Sequence, residues 1–330
     1  MVGPAPTELV GTSAHTVSVR ERIDRWRACE EPVLIVGESG TGKEVAARSV
    51  HANSARADKP LHVVNCAGLA EDVLMAELFG HVRGAYTGAL ASRQGRLRRA
   101  EGATLLLDEV TEAPAALQSA LLRVLEHGEI QPVGSDTVEH IDVRLIATTN
   151  RSAQELADGS ALRADLRHRL GALVLRLAPL RHRPEDIAPL ADLFLDQLAE
   201  HRGMRYRLST EGLRVLTDSP LAGNARELRQ VLVRASIDCP DGVIHALAVT
   251  EALRSGFQIE ASDACGAIYD NGATLADVIR RHLSATLDAT GGNLSEAARR
   301  LDIPRSTLQH HLARYAIERP SRAQSRTRSA

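Results

Sequence analysis

Apolar residues in the first half of the chain form short runs that alternate with amphipathic helical segments. Five runs have the length and character of buried strands: 33–36, 61–65, 104–109, 141–148 and 172–177. Helical patterns stand between them, for example after Lys43 and after Pro114. Strands that alternate with helices are typical of a parallel sheet covered on both faces. The pattern therefore predicts an α/β fold with three layers.

Beyond residue 180 the pattern becomes entirely helical. Apolar positions such as Ile187, Leu190 and Phe194 recur at helical spacing, and further helices follow up to Leu253. We expect these helices to form a lid on the α/β domain. A polar, weakly periodic stretch then precedes two short helical segments. The predicted divisions are an α/β domain at 8–180, a lid at 181–254, a linker at 255–272, a helix-turn-helix domain at 273–318 and a disordered basic tail at 319–330.

A glycine-rich turn joins the first predicted strand to the first helix after it. Its residues are Gly37, Glu38, Ser39, Gly40, Thr41, Gly42, Lys43 and Glu44. A strand, a glycine-rich turn and a lysine at a helix start bring backbone N–H groups and one positive charge towards the phosphates of a nucleotide. Glu44 stands where the general motif has a serine or threonine for Mg²⁺. On this stretch alone, the alternative interpretation is a glycine-rich turn that arose by chance.

Two carboxylates end the predicted strand at 104–109. In a phosphate-loop protein Asp108 would hold Mg²⁺, and Glu109 would orient and polarise the attacking water. The alternative is an acidic strand end that only caps a helix. Asn150 follows another strand, at the edge of the sheet where ligands bind in open α/β folds.

The last 58 residues differ in charge from the rest of the chain. Ten arginines against five acidic residues give 10 − 5 = +5 at 273–330, whereas the whole chain carries −2. Two short helical segments on either side of Pro304 predict a helix-turn-helix. Its second helix would present Arg305, Ser306, Gln309 and His310 to base edges and Arg314 to phosphate. A small helical module that binds protein is the alternative.

Composition limits the cellular setting. The four cysteines are scattered without metal-binding spacing, and no apolar run approaches the ~18 residues of a membrane span. No signal-peptide pattern opens the sequence. We therefore expect a cytoplasmic protein with reduced thiols and without a membrane partner. We also expect no separate sensory domain before the first strand.

Two further segments are ambiguous from spacing alone. Arg163 and Arg169 lie in a basic helical segment, which by itself favours a solvated helix face over a catalytic role. The stretch Gly84, Ala85, Tyr86, Thr87, Gly88 and Ala89 has glycines on both sides of an aromatic residue. This composition predicts a mobile, hairpin-like loop.

The chain resembles the bacterial sigma-54-dependent transcriptional activators, which are enhancer-binding AAA+ ATPases, over residues 8–240 and 275–317. The resemblance rests on GESGTGKE at 37–44, NCA at 65–67, ELFGH at 77–81, GAYTGA at 84–89, LLLDE at 105–109, ATTN at 147–150, PLR at 179–181 and GNAREL at 223–228. The loop at 84–89 is the most diagnostic motif. The family also carries glutamate at the position of Glu44. The second domain resembles the Fis-type DNA-binding domain.

The resemblance implies a role for each matching residue. Lys43 would bind phosphate, and Asp108 would hold Mg²⁺. Glu109 would act on the attacking water, and Asn65 would restrain Glu109. Asn150 would sense the γ-phosphate, Arg226 would be the lid sensor, and Thr87 would contact sigma-54. Arg163 and Arg169 would act as arginine fingers on the next subunit, which reverses the expectation from spacing. The loop carries Tyr86 where the family has phenylalanine, and Val82 where glutamate is frequent.

The implied activity is ATP-driven remodelling. Dimers would bind upstream enhancer DNA and assemble into a ring, expected to be a hexamer, that converts the closed complex of sigma-54 RNA polymerase holoenzyme to the open complex. Without an N-terminal sensory domain, regulation would come from a protein partner acting in trans or from the expression level. One rival hypothesis is a DNA-binding regulator that uses the nucleotide only as a switch and works with other sigma factors. The other is a generic AAA+ remodeller, for which the DNA-binding domain would have no use.

Overall fold

A computed structural model shows two compact units, at 1–253 and 254–330. The structure describes residues 8–85, 89, 91–159, 161–237, 239, 241–263, 279–280, 282–284, 286–287, 290, 293–301 and 303–315. Within these residues, no helix is both long enough and apolar enough to cross a lipid bilayer. The two units are described separately below.

A five-stranded parallel sheet forms the centre of the first unit, as the alternating pattern predicts. Its strands are β1 (Val33–Val36), β2 (Leu61–Asn65), β5 (Thr104–Asp108), β8 (Arg144–Thr149) and β9 (Leu173–Arg176), in the order β2-β5-β8-β1-β9. The three short antiparallel or parallel pairs outside this sheet are β3 (Gly80–His81) with β4 (Arg93–Gln94), β6 (Glu129–Ile130) with β7 (Glu139–His140), and β10 (Arg207–Leu208) with β11 (Val243–Ile244).

Helices cover both faces of the sheet. Those of the α/β part are α1 (Ala14–Arg25), α2 (Lys43–Ala52), α3 (Glu71–Phe79), α4 (Arg96–Arg99), α5 (Ala115–His127), α6 (Ala153–Ala157) and α7 (Ala164–Leu170). Leu105 and Leu107 pack with α3, α5 and α7, whereas Leu106 between them packs with α1 and α2. Successive strand residues point to opposite faces. The fully apolar strand is thus explained by burial on both sides.

The lid has its own apolar core. Its helices are α8 (Ile187–Arg202), α9 (Thr210–Thr217), α10 (Asn224–Ala235) and α11 (Ala246–Asp263). Leu190, Leu216, Leu228 and Val231 are among the buried residues of this core. Short 3₁₀ turns at Leu180–His182 and Pro184–Asp186 connect the lid to β9.

One boundary differs from the prediction. Helix α11 runs to Asp263, so residues 255–263 of the predicted linker are helical. Each residue added to an existing helix gains a hydrogen bond without a new nucleation step, so weakly periodic sequence can extend a helix. The remainder of the predicted linker, 264–272, lies outside the described residues.

The second unit contains the predicted helix-turn-helix. Its helices are α12 (Leu294–Arg300) and α13 (Arg305–Arg314). The Asn293 side chain caps α12 by accepting the N–H groups of Ser295 and Glu296. Ala297, Ala298, Leu308 and Leu312 are buried in one cluster, and Leu301 and Ile303 pack against it. The predicted basic tail lies outside the described residues.

Candidate functional site

The phosphate loop is organised around a buried lysine. Gly42 adopts a left-handed conformation (φ 99°) and precedes Lys43, the first residue of α2. The Lys43 side chain is 6% exposed, and its Nζ donates to the carbonyl oxygen of Gly37 at 2.9 Å. The Thr41 hydroxyl donates to the carbonyl oxygen of Glu38 at 2.8 Å. The loop therefore holds a positive charge at the start of a helix, where backbone N–H groups also favour an anion.

The two predicted acidic residues lie at the end of β5, and one of them, Glu109, contacts this lysine. Asp108 ends β5, and its Oδ1 accepts the hydroxyl of Thr148 on β8 at 2.6 Å. The Glu109 N–H donates to the same hydroxyl oxygen at 3.1 Å. Glu109 has a left-handed backbone (φ 52°) that ends the strand and redirects its side chain. Thr148 thus holds the carboxylate of Asp108 and the backbone of Glu109.

The carboxylate of Glu109, which follows β5, contacts residues that follow two other strands of the sheet. Oε1 lies 3.2 Å from Lys43 Nζ, and Oε2 accepts the backbone N–H of Asn150 at 2.9 Å. Lys43 follows β1, Glu109 follows β5 and Asn150 follows β8. The structure therefore brings these three predicted residues together at the carboxyl edge of the sheet, where open α/β folds bind ligands.

The predicted partner of Glu109 is placed differently. The Asn65 side-chain oxygen accepts the N–H of Ala67 at 2.8 Å, while Glu109 is held by Lys43 and Asn150. The expected contact between Asn65 and Glu109 is thus not the arrangement in this structure. Asn65 pairs in register with Asp108, and the left-handed turn after Asp108 directs Glu109 towards β8 and β1.

The lid reaches the phosphate loop through the start of α10. Arg226 Nη1 donates to the Ser39 hydroxyl at 2.7 Å, and the Ala225 N–H donates to the Gly40 carbonyl at 3.0 Å. A Cβ on Gly40 would lie 2.3 Å from the carbonyl oxygen of Gly223. This close backbone contact explains why position 40 requires glycine.

Sequence reasoning missed two charged lid residues that also bind the loop. Arg181 donates to both oxygens of Glu38, at 2.8 and 2.6 Å, and this contact is the main cause of the lowered pKa of Glu38. The buried Arg183 donates to the Thr41 carbonyl at 2.8 Å. The available signals were the PLR motif at 179–181, which contains Arg181, and the charged residues that follow it up to Asp186.

The buried Asp186 ties Arg183 to the first helix. It accepts the N–H and hydroxyl of Ser13, at 2.8 and 2.9 Å, and the hydroxyl of Thr16 at 2.6 Å. Burial alone would raise the pKa of Asp186, but hydrogen bonds from Thr16 and Ser13, together with the charge of Arg183, lower it overall. The phosphate loop, the lid and α1 therefore share one polar network.

The two predicted arginine fingers lie on the surface. Arg163 is 50% exposed and forms a bidentate ion pair with Asp165, at 3.2 and 2.8 Å. The guanidinium of Arg163 and the Leu166 N–H lower the pKa of Asp165 to about 2. Arg169 is 58% exposed and lies 3.1 Å from Glu126. Within one chain, both arginines are paired with acidic residues near α5 and α7.

The loop at 84–89, which is predicted to contact sigma-54, has a short hairpin at its base. Strands β3 and β4 pair at its base, and the Gly84 N–H donates to the Ala89 carbonyl at 2.9 Å. The Val82 N–H donates to the Val133 carbonyl at 3.1 Å. Tyr86, Thr87 and Gly88 lie outside the described residues.

Helix α13 presents the predicted DNA-facing residues to solvent. Arg305, Ser306, Gln309, His310 and Arg314 are all exposed, whereas Leu308 and Leu312 are buried. The Arg314 guanidinium lies 5.7 Å from the centre of the Tyr315 ring. This face could therefore approach a nucleic acid without disturbing the core of the unit.

The oxygen atoms at the site suit Mg²⁺. No group of three or more His, Cys, Asp or Glu side chains forms a metal site in the part of the chain that the structure describes. Mg²⁺ usually keeps several waters and needs only one or two carboxylates when phosphate oxygens also bind it. A single carboxylate, Asp108, beside the phosphate loop fits this requirement.

Comparison with known proteins agrees with this architecture. Residues 9–176 match the sigma-54 interaction domain, residues 181–264 the AAA+ ATPase lid domain, and residues 274–315 the bacterial regulatory proteins of the Fis family. The transcriptional regulatory protein ZraR of Klebsiella oxytoca is 39% identical over 307 residues, covering 93% of this chain and 68% of ZraR. FlbD of Caulobacter vibrioides is 40% identical over 307 residues, covering 89% and 67%.

Solved structures lead to the same group. NtrX of Brucella abortus, crystallised with ADP, is 30% identical with a TM-score of 0.75, and the match covers 96% of this chain and 70% of NtrX. The fold and site define an AAA+ module with a helical lid, accompanied by a helix-turn-helix domain. The chain belongs to the family of sigma-54-dependent transcriptional regulators, with a Fis-type DNA-binding domain.

Proposed function

We propose that this protein activates sigma-54-dependent transcription by coupling ATP hydrolysis to opening of the promoter complex. The observation that carries the proposal is the convergence of Lys43, Glu109 and Asn150 at the carboxyl ends of β1, β5 and β8. A phosphate-binding cation, a carboxylate for water and a polar sensor are the groups that phosphoryl transfer to water needs. The related NtrX was also crystallised with ATP, which supports ATP as the nucleotide.

Each residue would act on the bound nucleotide in its present position. Lys43 would bind the outer phosphates, with the N–H groups of residues 37–44 around them. Asp108 would hold Mg²⁺, which neutralises charge on the phosphate oxygens. Phosphate binding would compete for Lys43, so that the Glu109 carboxylate is free to orient a water molecule. Asn150 would sense the γ-phosphate, because its N–H already contacts Glu109.

Hydrolysis would require a neighbouring subunit. Arg163 and Arg169 are exposed and lie on α7 or at its start, so they are available to a second copy of the chain. An arginine supplied from outside the site stabilises the charge of the transition state. Asp165 and Glu126 would release them on assembly, since exposed ion pairs contribute little stability. We therefore propose a working oligomer, from dimers up to a hexameric ring.

The remaining surfaces would recruit the partners. The loop at 84–89 would contact sigma-54 in the polymerase holoenzyme, with Thr87 at the contact. The exposed residues of α13 would bind upstream enhancer DNA, with Arg305 and Gln309 near base edges and Arg314 near phosphate. Both partners are found in the cytoplasm, which we propose as the site of action.

Open-complex formation by sigma-54 polymerase tests this function directly. The comparison is between the wild type, Glu109→Gln, which removes the negative charge beside the water, and Thr87→Ala, which alters the contact loop. We expect opening only with the wild type, ATP binding by Glu109→Gln without turnover, and ATP hydrolysis by Thr87→Ala without opening. ATP hydrolysis by the wild type without any opening would support the rival regulator that works with other sigma factors.

Mixing two inactive variants tests the shared site. Lys43→Ala lacks the phosphate-binding cation but supplies intact arginines, and Arg163→Ala has the reverse defect. A mixture should regain part of the ATPase activity, because some interfaces combine an intact loop with an intact Arg163. A mixture as inactive as its components would contradict hydrolysis between subunits.

A further inference from the structure

Glu38 lies in the phosphate loop, but its side chain forms hydrogen bonds with residues of the lid. Its two carboxylate oxygens accept the guanidinium of Arg181 at 2.6 and 2.8 Å, and Oε2 also accepts the amide of Asn224 at 3.3 Å. Arg181 lies in the first 3₁₀ turn of the lid, and Asn224 is the first residue of α10. One loop residue therefore connects to two separate lid segments.

The backbone of the same residue connects to the phosphate-binding groups. The Glu38 carbonyl accepts the Thr41 hydroxyl at 2.8 Å and lies 3.4 Å from Lys43 Nζ. Displacement of the Glu38 side chain would therefore shift an oxygen atom that helps to position Lys43. This arrangement gives the lid a mechanical connection to the phosphate site.

Asn224 fixes the geometry of this connection. It is fully buried and adopts a left-handed backbone (φ 55°), a conformation that asparagine tolerates better than most residues. Its side-chain oxygen accepts the N–H of Leu180 at 2.7 Å, and its amide donates to the Ser39 carbonyl at 3.0 Å. Asn224 thus holds the lid segment next to Arg181 in a fixed position against the loop.

The contact between Arg181 and Glu38 is the part of this connection that can open. Both side chains are about two-fifths exposed, with values of 41% and 42%, so water can replace either partner. The bidentate geometry makes the pair stronger and more directional than a single contact. A pair of this kind can hold the lid against the loop and still separate during each catalytic cycle.

We propose that Arg181 is a positioning residue that clasps the lid onto the phosphate loop through Glu38 and thereby slows nucleotide release. The inference rests on the proposed nucleotide site but concerns how long that site stays closed. The clasp stabilises the closed lid only while both charges are present. Loss of either partner should therefore have the same effect as loss of both.

The experiment measures the dissociation of a fluorescent ADP analogue from the full-length protein by stopped flow. The variants are Glu38→Gln, Arg181→Gln, their double mutant and Arg181→Lys. Arg299→Gln is the control, because Arg299 forms an exposed ion pair with Glu296 in the other unit, in which Nη2 donates to both carboxylate oxygens at 2.8 Å. ATP turnover is measured in parallel to separate KM from kcat.

We expect each single substitution to speed dissociation roughly three- to tenfold, the range that a half-exposed bidentate pair supplies. The double mutant should match the single mutants, Arg181→Lys should lie between wild type and Arg181→Gln, and Arg299→Gln should match the wild type. KM for ATP should rise more than kcat falls.

Three results would overturn the proposal: unchanged dissociation in both single mutants, effects that multiply in the double mutant, or an equal effect of Arg299→Gln. These results are distinct from failure of the proposed function. A wild type that binds the analogue but does not hydrolyse ATP would refute the ATPase and leave the clasp intact.

Discussion

Substitution of Gly40 by alanine should loosen the lid from the phosphate loop. The new Cβ would lie 2.3 Å from the Gly223 carbonyl oxygen, whereas such contacts essentially never fall below 3.0 Å. The backbones must therefore separate by at least 3.0 − 2.3 = 0.7 Å. A shift of this size is enough to break the 3.0 Å hydrogen bond from the Ala225 N–H to the Gly40 carbonyl.

The expected cost has two parts. Gly40 has φ +78°, and an alanine in a left-handed conformation costs about 1–2 kcal/mol. Loss of the bond from Ala225, and of the adjacent bond between Arg226 and Ser39, adds about 0.5–1.5 kcal/mol each. We therefore expect Gly40→Ala to lower the free energy of unfolding of the first unit by about 2–5 kcal/mol. Nucleotide affinity should fall as well.

Gly102→Ala is the matched control. Gly102 has a similar φ of +69°, but a Cβ there meets nothing within 4 Å. It should show only the conformational cost, about 1–2 kcal/mol, and normal nucleotide affinity. Urea denaturation and nucleotide titration of both variants provide the comparison. Equal losses of stability together with wild-type affinity in both would refute the contact between lid and loop as the cause.

Three further outcomes are expected. Leu106→Ala should lower the free energy of unfolding by about 2–5 kcal/mol in urea denaturation, because Leu106 is fully buried in β5, an interior strand of the sheet; a loss below about 1 kcal/mol would contradict this packing. Asp186→Asn should cost about 3–5 kcal/mol at pH 7, since it leaves Arg183 buried without its counter-charge. The pKa of Asp186 is lowered in the folded protein, so its stabilising effect is complete above the unfolded pKa of about 3.9 and disappears as the pH falls through the folded pKa. The free energies of unfolding of wild type and Asp186→Asn should therefore converge in acid. A difference that stays constant with pH would contradict the role of the Asp186 charge. The pKa of Glu38 is also lowered, so the rate of ADP release should stay constant from about pH 8 to pH 5 and rise only below the ordinary glutamate value of about 4.3; a rise near pH 6 would contradict the clasp.

The sheet and its phosphate loop could be predicted because the relevant signals are local. Leu105, Leu106 and Leu107 are all apolar, which indicates a strand buried on both faces, and the structure places them alternately in two cores. The glycines before Lys43 indicate a turn that opens a helix. The length of α11 was not predictable in the same way, because its last turns carry little periodicity.

The site was predictable in its residue types but not in its pairings. Lys43, Asp108, Glu109 and Asn150 follow apolar strands, so the sequence alone placed them at one edge of a parallel sheet. The partner of Glu109 depends on the order of the strands and on the left-handed turn after Asp108, and Lys43 therefore takes the position that we had expected for Asn65.

The sequence by itself determined the parallel sheet, the helix-turn-helix and the position of the phosphate loop, because apolar periodicity and glycine content act over a few residues. Only the tertiary structure decided which charges meet. Arg181 lies 143 positions from Glu38 and Arg226 lies 187 positions from Ser39, and both contacts exist because the folded chain brings the turn at Leu180–His182 and the start of α10 to the phosphate loop. Such contacts depend on distances across the folded chain, which no local pattern records.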